Sequence, residues 1–343
     1  MFENIKEYYI MGFGNLGKYL EVFFKDYGEM TFRGFIDNKQ EGTANVIIYK
    51  PENVPNKNIP VFVGSINYTY EMTVQLRNLG FKNIITFAEL TLRYPDLQKY
   101  NQSYIGLRED YINNTDKYEK VYKLFADKKS IDILDTIIEY RKTYNVDLYA
   151  QIADSPMLQY CDNIAPRNMQ VYVDGGAFDG DSVLRAIQNE FEMEKIYFFE
   201  PDEASINQAK ENLKNINKNI KYLPYGISDK EKVLKFVSNN AFSSHFSEKG
   251  NKQVKCVALD DIIEEDRAFI KLDIEGAEYD AILGGEKLFK NKSPFAICVY
   301  HKPEDIYRIP FLINEISNNG YKLYLRHYTN NILETVLYGV AND

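Results

Sequence analysis

The segment that most restricts the fold is Val171-Tyr-Val-Asp174-Gly175-Gly176-Ala177-Phe178-Asp179-Gly180-Asp181. A short apolar run ends in a carboxylate, and small residues then let the backbone turn tightly before the next helix starts. Glycine serves there because a Cβ would block close approach or because φ must be positive. Such a turn belongs at the carboxyl edge of an open α/β sheet, where ligands bind. Its charge narrows the ligand. A dinucleotide turn presents a helix N-terminus to a pyrophosphate, whereas Asp174, Asp179 and Asp181 would repel one. They suit a cofactor that carries a sulfonium and an ammonium. The next apolar run, Lys195–Phe199, ends at Glu200-Pro201, and a carboxylate at that strand end accepts hydrogen bonds from ribose hydroxyls.

Around this turn the chain reads as three regions. From about residue 166 to 343, strands are expected at Val171–Val173, Lys195–Phe199, Ile220–Leu223, Ala268–Leu272, Ala296–Tyr300, Lys322–Leu325 and Thr335–Tyr338, the last two as a terminal hairpin on a parallel sheet. Residues 91–165 are helical and polar: Lys117–Ala126 and Ile131–Tyr144 place apolar residues three and four apart, with Ser130 positioned to cap the second helix. Residues 1–90 again alternate strands (Tyr8–Met11, Thr31–Ile36, Val46–Tyr49, Val61–Val63, Asn83–Phe87) with helices at Lys18–Tyr27 and Tyr70–Leu79, the latter stopped by Gly80. The expected fold class is therefore α/β: a Rossmann-like sheet in the C-terminal region, a smaller Rossmann-like N-terminal domain, and a helical connector.

Composition removes several function classes. The net charge of -9 opposes a phosphate backbone, and the one short basic stretch, Lys249–Lys255, reads as a solvated turn, so no nucleic-acid partner is expected. The three cysteines, Cys161, Cys256 and Cys298, have no paired spacing for a zinc knuckle or a disulfide framework, and Cys298 lies in an apolar strand run. No signal peptide is apparent, and no apolar stretch approaches the ~20 residues of a membrane span. A cytoplasmic protein is expected.

Residues from about 171 to 340, about half of the chain, resemble the FkbM family of methyltransferases. The resemblance rests on Asp174-Gly-Gly-Ala177 with Gly180, on Phe199-Glu-Pro201, on Leu259-Asp-Asp-Ile262 and on Ile270-Lys-Leu-Asp-Ile-Glu-Gly-Ala-Glu278, in that order. Phe178 departs from it, standing where the family usually has a polar residue. The resemblance implies a Rossmann-like methyltransferase fold and S-adenosylmethionine-dependent O-methylation, often of sugars or natural products. Carried over by position, Asp174, Gly176 and Ala177 would contact the methionine moiety and Glu200 the ribose; Ser228, beside Asp229, would lie near the adenine, and Gly175, Gly180, Pro201 and Asp273 would complete the cofactor site.

For the acceptor, adjacent strand ends bring Asp273, Glu275 and His301 around one crevice, with Glu278 following and His327 after another strand. Histidine is the usual base near neutral pH, so His301 is the expected base, with Asp273 beside it and His327 assisting or binding acceptor. Lys302 and Arg326 are placed to meet an anionic acceptor such as a nucleotide-linked sugar. Asp273, Glu275 and a histidine are also oxygen- and nitrogen-rich enough for a divalent cation, a reading not favoured because Glu275 and Glu278 equally well begin a helix.

In the N-terminal region, Gly12-Phe-Gly14-Asn-Leu-Gly17 follows a strand and opens a helix, and Asp37 ends the next strand, which meets the contextual test for a nucleotide turn. It resembles small domains on bacterial polysaccharide-modifying enzymes. Nucleotide-sugar binding, a degenerate scaffold or dimerisation unit, and NAD binding all remain open for it. The leading expectation is thus an O-methyltransferase for a sugar or nucleotide-linked sugar in bacterial glycan biosynthesis. The alternatives are an NAD-binding oxidoreductase or a non-catalytic scaffold, and homo-oligomerisation through the N-terminal domain or the connector is possible.

Overall fold

The computed structural model describes residues 5–28, 30–40, 42, 46–237, 245–246 and 252–342. The chain divides into two compact units. The first comprises Met1–Gly106, Thr136–Gln151 and Thr329–Ile332; the second comprises Leu107–Asp135, Ile152–Tyr328 and Leu333–Asp343.

The first unit is built on β1 (Glu7–Met11), β2 (Thr31–Ile36), β3 (Ile48–Tyr49), β4 (Val61–Val63) and β5 (Ile84–Ile85), paired in the order β3-β2-β1-β4-β5. Every pairing is parallel, so both sheet faces need cover and the strands read as near-continuous apolar runs. Tyr9, Met11, Val61, Val63 and Leu76 pack into one core. The helix Asn15–Tyr27 leaves β1 through the glycine turn and ends at Gly28 in the left-handed region. Gly80, also left-handed at φ 87°, follows the helix Thr69–Asn78. The expected strand Asn83–Phe87 is shorter than predicted, because Phe87 begins a helix, Phe87–Arg93. The Thr86 hydroxyl accepts the Glu89 N–H and the Glu89 carboxylate accepts the Thr86 N–H, a reciprocal cap that outcompetes strand pairing.

The second unit carries a seven-stranded sheet of β6 (Val171–Gly175), β7 (Lys195–Phe199) and β8 (Asn219–Leu223), and of strands that follow a smaller sheet. The smaller sheet pairs β9 (Gly226–Ile227), β10 (Lys232–Val237), β11 (His245–Phe246) and β12 (Lys252–Val257). The remaining large-sheet strands are β13 (Phe269–Leu272), β14 (Phe295–Cys298), β15 (Tyr321–His327) and β16 (Thr335–Ala341), in the order β15-β16-β14-β13-β6-β7-β8. β16 pairs antiparallel with both β14 and β15, the expected hairpin, and the rest are parallel. Strand order reverses between β6 and β13, which opens a crevice at their carboxyl ends. Tyr172, Val183, Ile196, Phe198, Phe269 and Cys298 belong to one buried cluster under that edge, each large side chain contributing about 1.5–3 kcal/mol by burial.

Two expectations are corrected here. Lys252–Val257 is a strand rather than a turn, with Val254 and Cys256 inside and Gln253 and Lys255 outside; Lys249 to Asn251 lie outside the described residues. Ser130 does not cap its helix, which starts at Lys128. Asp127 accepts the Ser130 N–H at 2.9 Å, and the Ser130 hydroxyl accepts the Leu325 N–H instead. The region 91–165 is helical, through Leu107–Asn113, Thr115–Val121 and Lys128–Thr143.

Candidate active site

At the carboxyl end of β6 the chain turns across the end of β13. Gly176 has φ 69°, and a Cβ on it would lie 1.8 Å from the Asp273 carbonyl oxygen, so only glycine allows the turn to lie this close. The Gly176 and Ala177 N–H groups both donate to the Phe199 carbonyl at 3.1 Å, locking the turn to β7. Gly180 precedes the helix Asp181–Gln188. Glu200, 8% exposed at the end of β7, ties three segments: its Oε2 accepts the Phe178 N–H at 3.1 Å and its Oε1 the Asp202 N–H at 2.8 Å. Burial raises its pKa, with the two backbone donors opposing.

Asp174 is placed differently from a ligand-facing carboxylate. It is fully buried, its Oδ1 3.0 Å from Lys271 Nζ and its Oδ2 bonded to the Ser182 hydroxyl. Lys271 also donates to the Gly175 and Gly176 carbonyls at 3.1 and 2.8 Å. Burial would lower the lysine's pKa, but Asp174 and Asp273 outweigh it and raise the value. The pair therefore fixes the turn from beneath. Lys271 was not anticipated, although a lysine inside the apolar run Phe269–Leu272 is itself a signal of a buried counter-charge.

Beyond β13 and β14 lies a cluster of ionisable groups. His301, 3% exposed, has Nδ1 2.9 Å from Glu278 Oε1, while Nε2 is 3.4 Å from Asp273 Oδ1 and 3.7 Å from Glu275 Oε2. Glu278 is completely buried and its Oε1 also accepts the Ile274 N–H at 2.9 Å. Burial would depress the histidine, but Glu278, Asp273 and Glu275 together push it up to about 10. These carboxylates favour the protonated ring over the neutral one at neutral pH. Burial raises the Asp273 carboxyl, yet His301, Lys271 and the Tyr160 hydroxyl hold it below the ordinary value. Burial, Asp273 and Glu278 raise Glu275 to about 7 against the pull of His301. Of this group the side chains of Asp273 and Glu275 are the accessible ones, at 25% and 39% exposure.

Asp273 is further held by residues that sequence reasoning missed. The Tyr160 hydroxyl donates to its Oδ2 at 2.8 Å and the Tyr300 hydroxyl to its Oδ1 at 3.2 Å. Gln159 bonds Glu334 through its amide nitrogen and accepts Arg185 Nη1 at 2.8 Å. Tyr160, Phe178, Glu275 and Glu334 all have positive φ, a costly backbone state for such side chains that clusters at functional sites. Tyr160 and Glu334 sit in irregular segments far from the glycine turn in sequence, so no periodicity marks them.

Other expected residues fall outside this cluster's accessible face. His327 is fully buried with Nδ1 2.8 Å from Thr335 Oγ1, which denies an acceptor access to its ring. Arg326 is 6% exposed and paired with Asp127 at 2.6 Å, and Lys302 Nζ donates to the Gly276 carbonyl. Arg326 is thus turned inward, while Lys302 is half-buried beside the Gly276 turn. Ser228 is buried and bonded to Asp229, which pairs with Lys232 at 2.7 Å; Pro201 is half-buried beside Glu200. Donor atoms of Asp273, Glu278 and His301, and of Asp273, Cys298 and Glu334, come within 4.8 Å of one another. In the first group the surrounding carboxylates favour the protonated histidine, and in the second burial pushes the Cys298 thiol well up.

In the first unit, Gly12, Gly14 and Gly17 form the turn after β1. A Cβ on Gly17 would lie 2.0 Å from the Gly12 carbonyl oxygen, whereas the space in front of Gly14 is open. Asp37 accepts N–H groups from Phe13 at 2.9 Å and from Lys39 and Gln40 at 2.8 Å. Burial opposes, but these donors hold its carboxyl below the usual range.

Residues 174–323 match the family described as the methyltransferase FkbM domain. A solved structure of a methyltransferase FkbM from Methylobacillus flagellatus KT is similar over 98% of this chain and 90% of its own, at TM-score 0.77 and 19% identity. That likeness shows a shared methyltransferase fold. A precorrin-6y C5,15-methyltransferase from Geobacter metallireducens GS-15 has TM-score 0.31 and 14% identity, covering 55% of this chain and 100% of its own. A fibrillarin from Aeropyrum pernix, solved with natively bound S-adenosyl-L-methionine, has TM-score 0.31 and 10% identity, covering 57% and 74%. No curated protein matches the chain. Among the described residues no helix is long and apolar enough to cross a membrane.

Proposed function

We propose that this chain is an S-adenosylmethionine-dependent O-methyltransferase whose acceptor is a hydroxyl of a sugar or nucleotide-linked sugar in bacterial glycan biosynthesis. The observation that carries the reading is the bare glycine backbone at the β6–β13 crevice, flanked by Glu200 on one side and the Asp273 cluster on the other. A cofactor with hydroxyl donors at one end and a cationic centre at the other fits those groups. Bound there, it supplies an electrophilic methyl on a sulfonium. Glu200 keeps lone pairs free beside its two backbone donors for the ribose hydroxyls. Gly175, Gly176, Ala177 and Gly180 shape the cradle, Asp174 holds it through Lys271, and Ser228 borders the adenine side.

Asp273 is the residue proposed to receive the acceptor's hydroxyl, since it is accessible and ionised. His301 orients it and offsets its charge. Alignment of two reactants is worth up to about 7–11 kcal/mol, so a rigid carboxylate held from both sides suits the task. The partly exposed carboxylates of Asp273 and Glu275 are suited to accept hydrogen bonds from a polyol, and with Arg326 buried against Asp127 a hydroxylated face of the acceptor is favoured there over a phosphorylated one. The reaction is proposed to need no metal. In the first unit, Gly12, Gly14, Gly17 and Asp37 are proposed to bind a nucleotide-sugar, supported by the open space before Gly14. Residues 1–90 would then be the nucleotide-binding part, 91–165 the connector and 166–343 the catalytic part of a cytoplasmic enzyme.

Calorimetric titration with S-adenosylhomocysteine, S-adenosylmethionine, NAD and a panel of UDP- and GDP-sugars tests this. Both adenosyl compounds should bind, with affinity lowered at least tenfold in Glu200→Ala, and a nucleotide-sugar signal should vanish in Gly14→Leu. NAD binding without either adenosyl compound would instead point to an oxidoreductase, and binding of none to a scaffold.

A further inference from the structure

Glu334 has no part in the chemistry described so far, yet it is built into the site. It lies just before β16, outside the 174–323 stretch that matches the family. Its backbone is held at φ 69°, a strained state for a side chain of this kind. That turn sends the carboxyl inward. One oxygen is held by the Gln159 amide, which Arg185 fixes from behind at 2.8 Å. The other, Oε1, is 3.5 Å from the Tyr300 hydroxyl, and the same hydroxyl is 3.2 Å from Asp273 Oδ1. Tyr300 therefore stands between two carboxylates that come within 4.8 Å of each other and of the Cys298 thiol.

We propose that Glu334 is the terminal proton acceptor of this site, reached from Asp273 through the Tyr300 hydroxyl. This rests on the methyl-transfer reading above. The acceptor's O–H bond breaks, its electron pair stays on the attacking oxygen, and the proton passes to Asp273. Asp273 hands a proton to the Tyr300 oxygen as Tyr300 gives its own to Glu334. Asp273 and Tyr300 end unchanged, and Glu334 ends as the neutral acid. Tyr300 never becomes an anion, consistent with burial and Asp273 holding its pKa well above the ordinary phenol value.

The division of labour follows from environment. Asp273, kept ionised by His301 and Lys271 despite burial, is a weak base that orients the hydroxyl. Burial and Asp273 raise Glu334 to about 7, against His301, Gln159 and Arg185, which lower it. Two carboxyls with values pushed apart in one site mark separate roles. The titratable groups facing Glu334 are Asp273, His301, Arg185, Cys298, Tyr160 and Tyr300.

The test is ¹³C NMR of the full chain labelled at the glutamate carboxyl carbon, titrated by pH without cofactor or acceptor. Its outcome is therefore independent of the calorimetry above. Loss of one resonance in Glu334→Gln assigns it; if that variant does not fold, Glu334→Asp serves, because aspartate carries no label. The midpoint is expected near 7, and Asp273→Asn should lower it by about one unit or more, the scale of a like charge at close range. Adding Tyr300→Phe should shrink that difference, since the hydroxyl carries part of the coupling. A midpoint at the ordinary glutamate value would overturn the proposal. So would one that Asp273→Asn leaves unmoved, or one whose displacement Tyr300→Phe does not reduce.

Discussion

Lys271 and Asp174 show how a single buried pair sets the candidate site. Both are essentially inaccessible, at 2% and 0%, and the lysine's remaining donors go to the glycine carbonyls. Breaking a buried pair from one side leaves an uncompensated charge and costs about 3–5 kcal/mol. Lys271→Met should therefore lower the unfolding free energy by that much, read from the shifted midpoint in chemical unfolding. Asp174→Asn in the same background should recover part of the loss; no recovery would mean that the pair is not the source. At this scale the sequence was partly legible. Asp174 and Glu200 are legible at their strand ends because an apolar run, a carboxylate and a turn residue (Gly175 in one case, Pro201 in the other) follow one another directly. The inward pairing of Asp174 is not, since its partner is 97 positions away, on a neighbouring strand. The strand pattern puts His301 just past β14, but its protonation depends on Glu278, Asp273 and Glu275, and no pattern announces the left-handed backbone of Glu275.

The elements themselves were legible where period and length agreed. β6, β7, β13 and β14 are continuous apolar runs, and the antiparallel pair β15–β16 follows from two strands with little between them. The misreadings came from side chains that compete locally. Thr86 and Glu89 trade hydrogen bonds and convert the end of an apparent strand into a helix start. Thr86→Ala should cost about 1 kcal/mol, the typical worth of such a cap, and lower the thermal midpoint of the whole chain slightly. An unchanged midpoint would mean that the helix Phe87–Arg93 is held by packing alone. The turn after β6 is less forgiving. Gly176→Ala places a methyl group against the Asp273 carbonyl and demands positive φ, so it should destabilise the protein and weaken adenosyl-compound binding together.

For the whole molecule, the ionisable cluster makes stability depend on pH in a definite direction. The folded value of His301, about 10, exceeds its unfolded value near 6.5. Its contribution is complete below 6.5 and disappears as pH rises through 10. Glu275 and Glu334, raised to about 7, act in the same sense over a lower window, between about 4.5 and 7. The wild type's advantage in thermal midpoint over His301→Gln should accordingly shrink between pH 6.5 and 10; a constant difference would contradict an imidazolium at this position. The position of β16 has a consequence for how the protein is made. It is synthesised after β15, yet it lies between β14 and β15. While the chain is still emerging from the ribosome, β14 keeps an unpaired apolar edge, the kind of surface that invites mispairing. β15 cannot join the sheet until β16 arrives. Because Glu334 immediately precedes β16, the same late event that seals this edge also delivers Glu334 to Tyr300, so a nascent chain has neither a finished sheet nor a finished site until then.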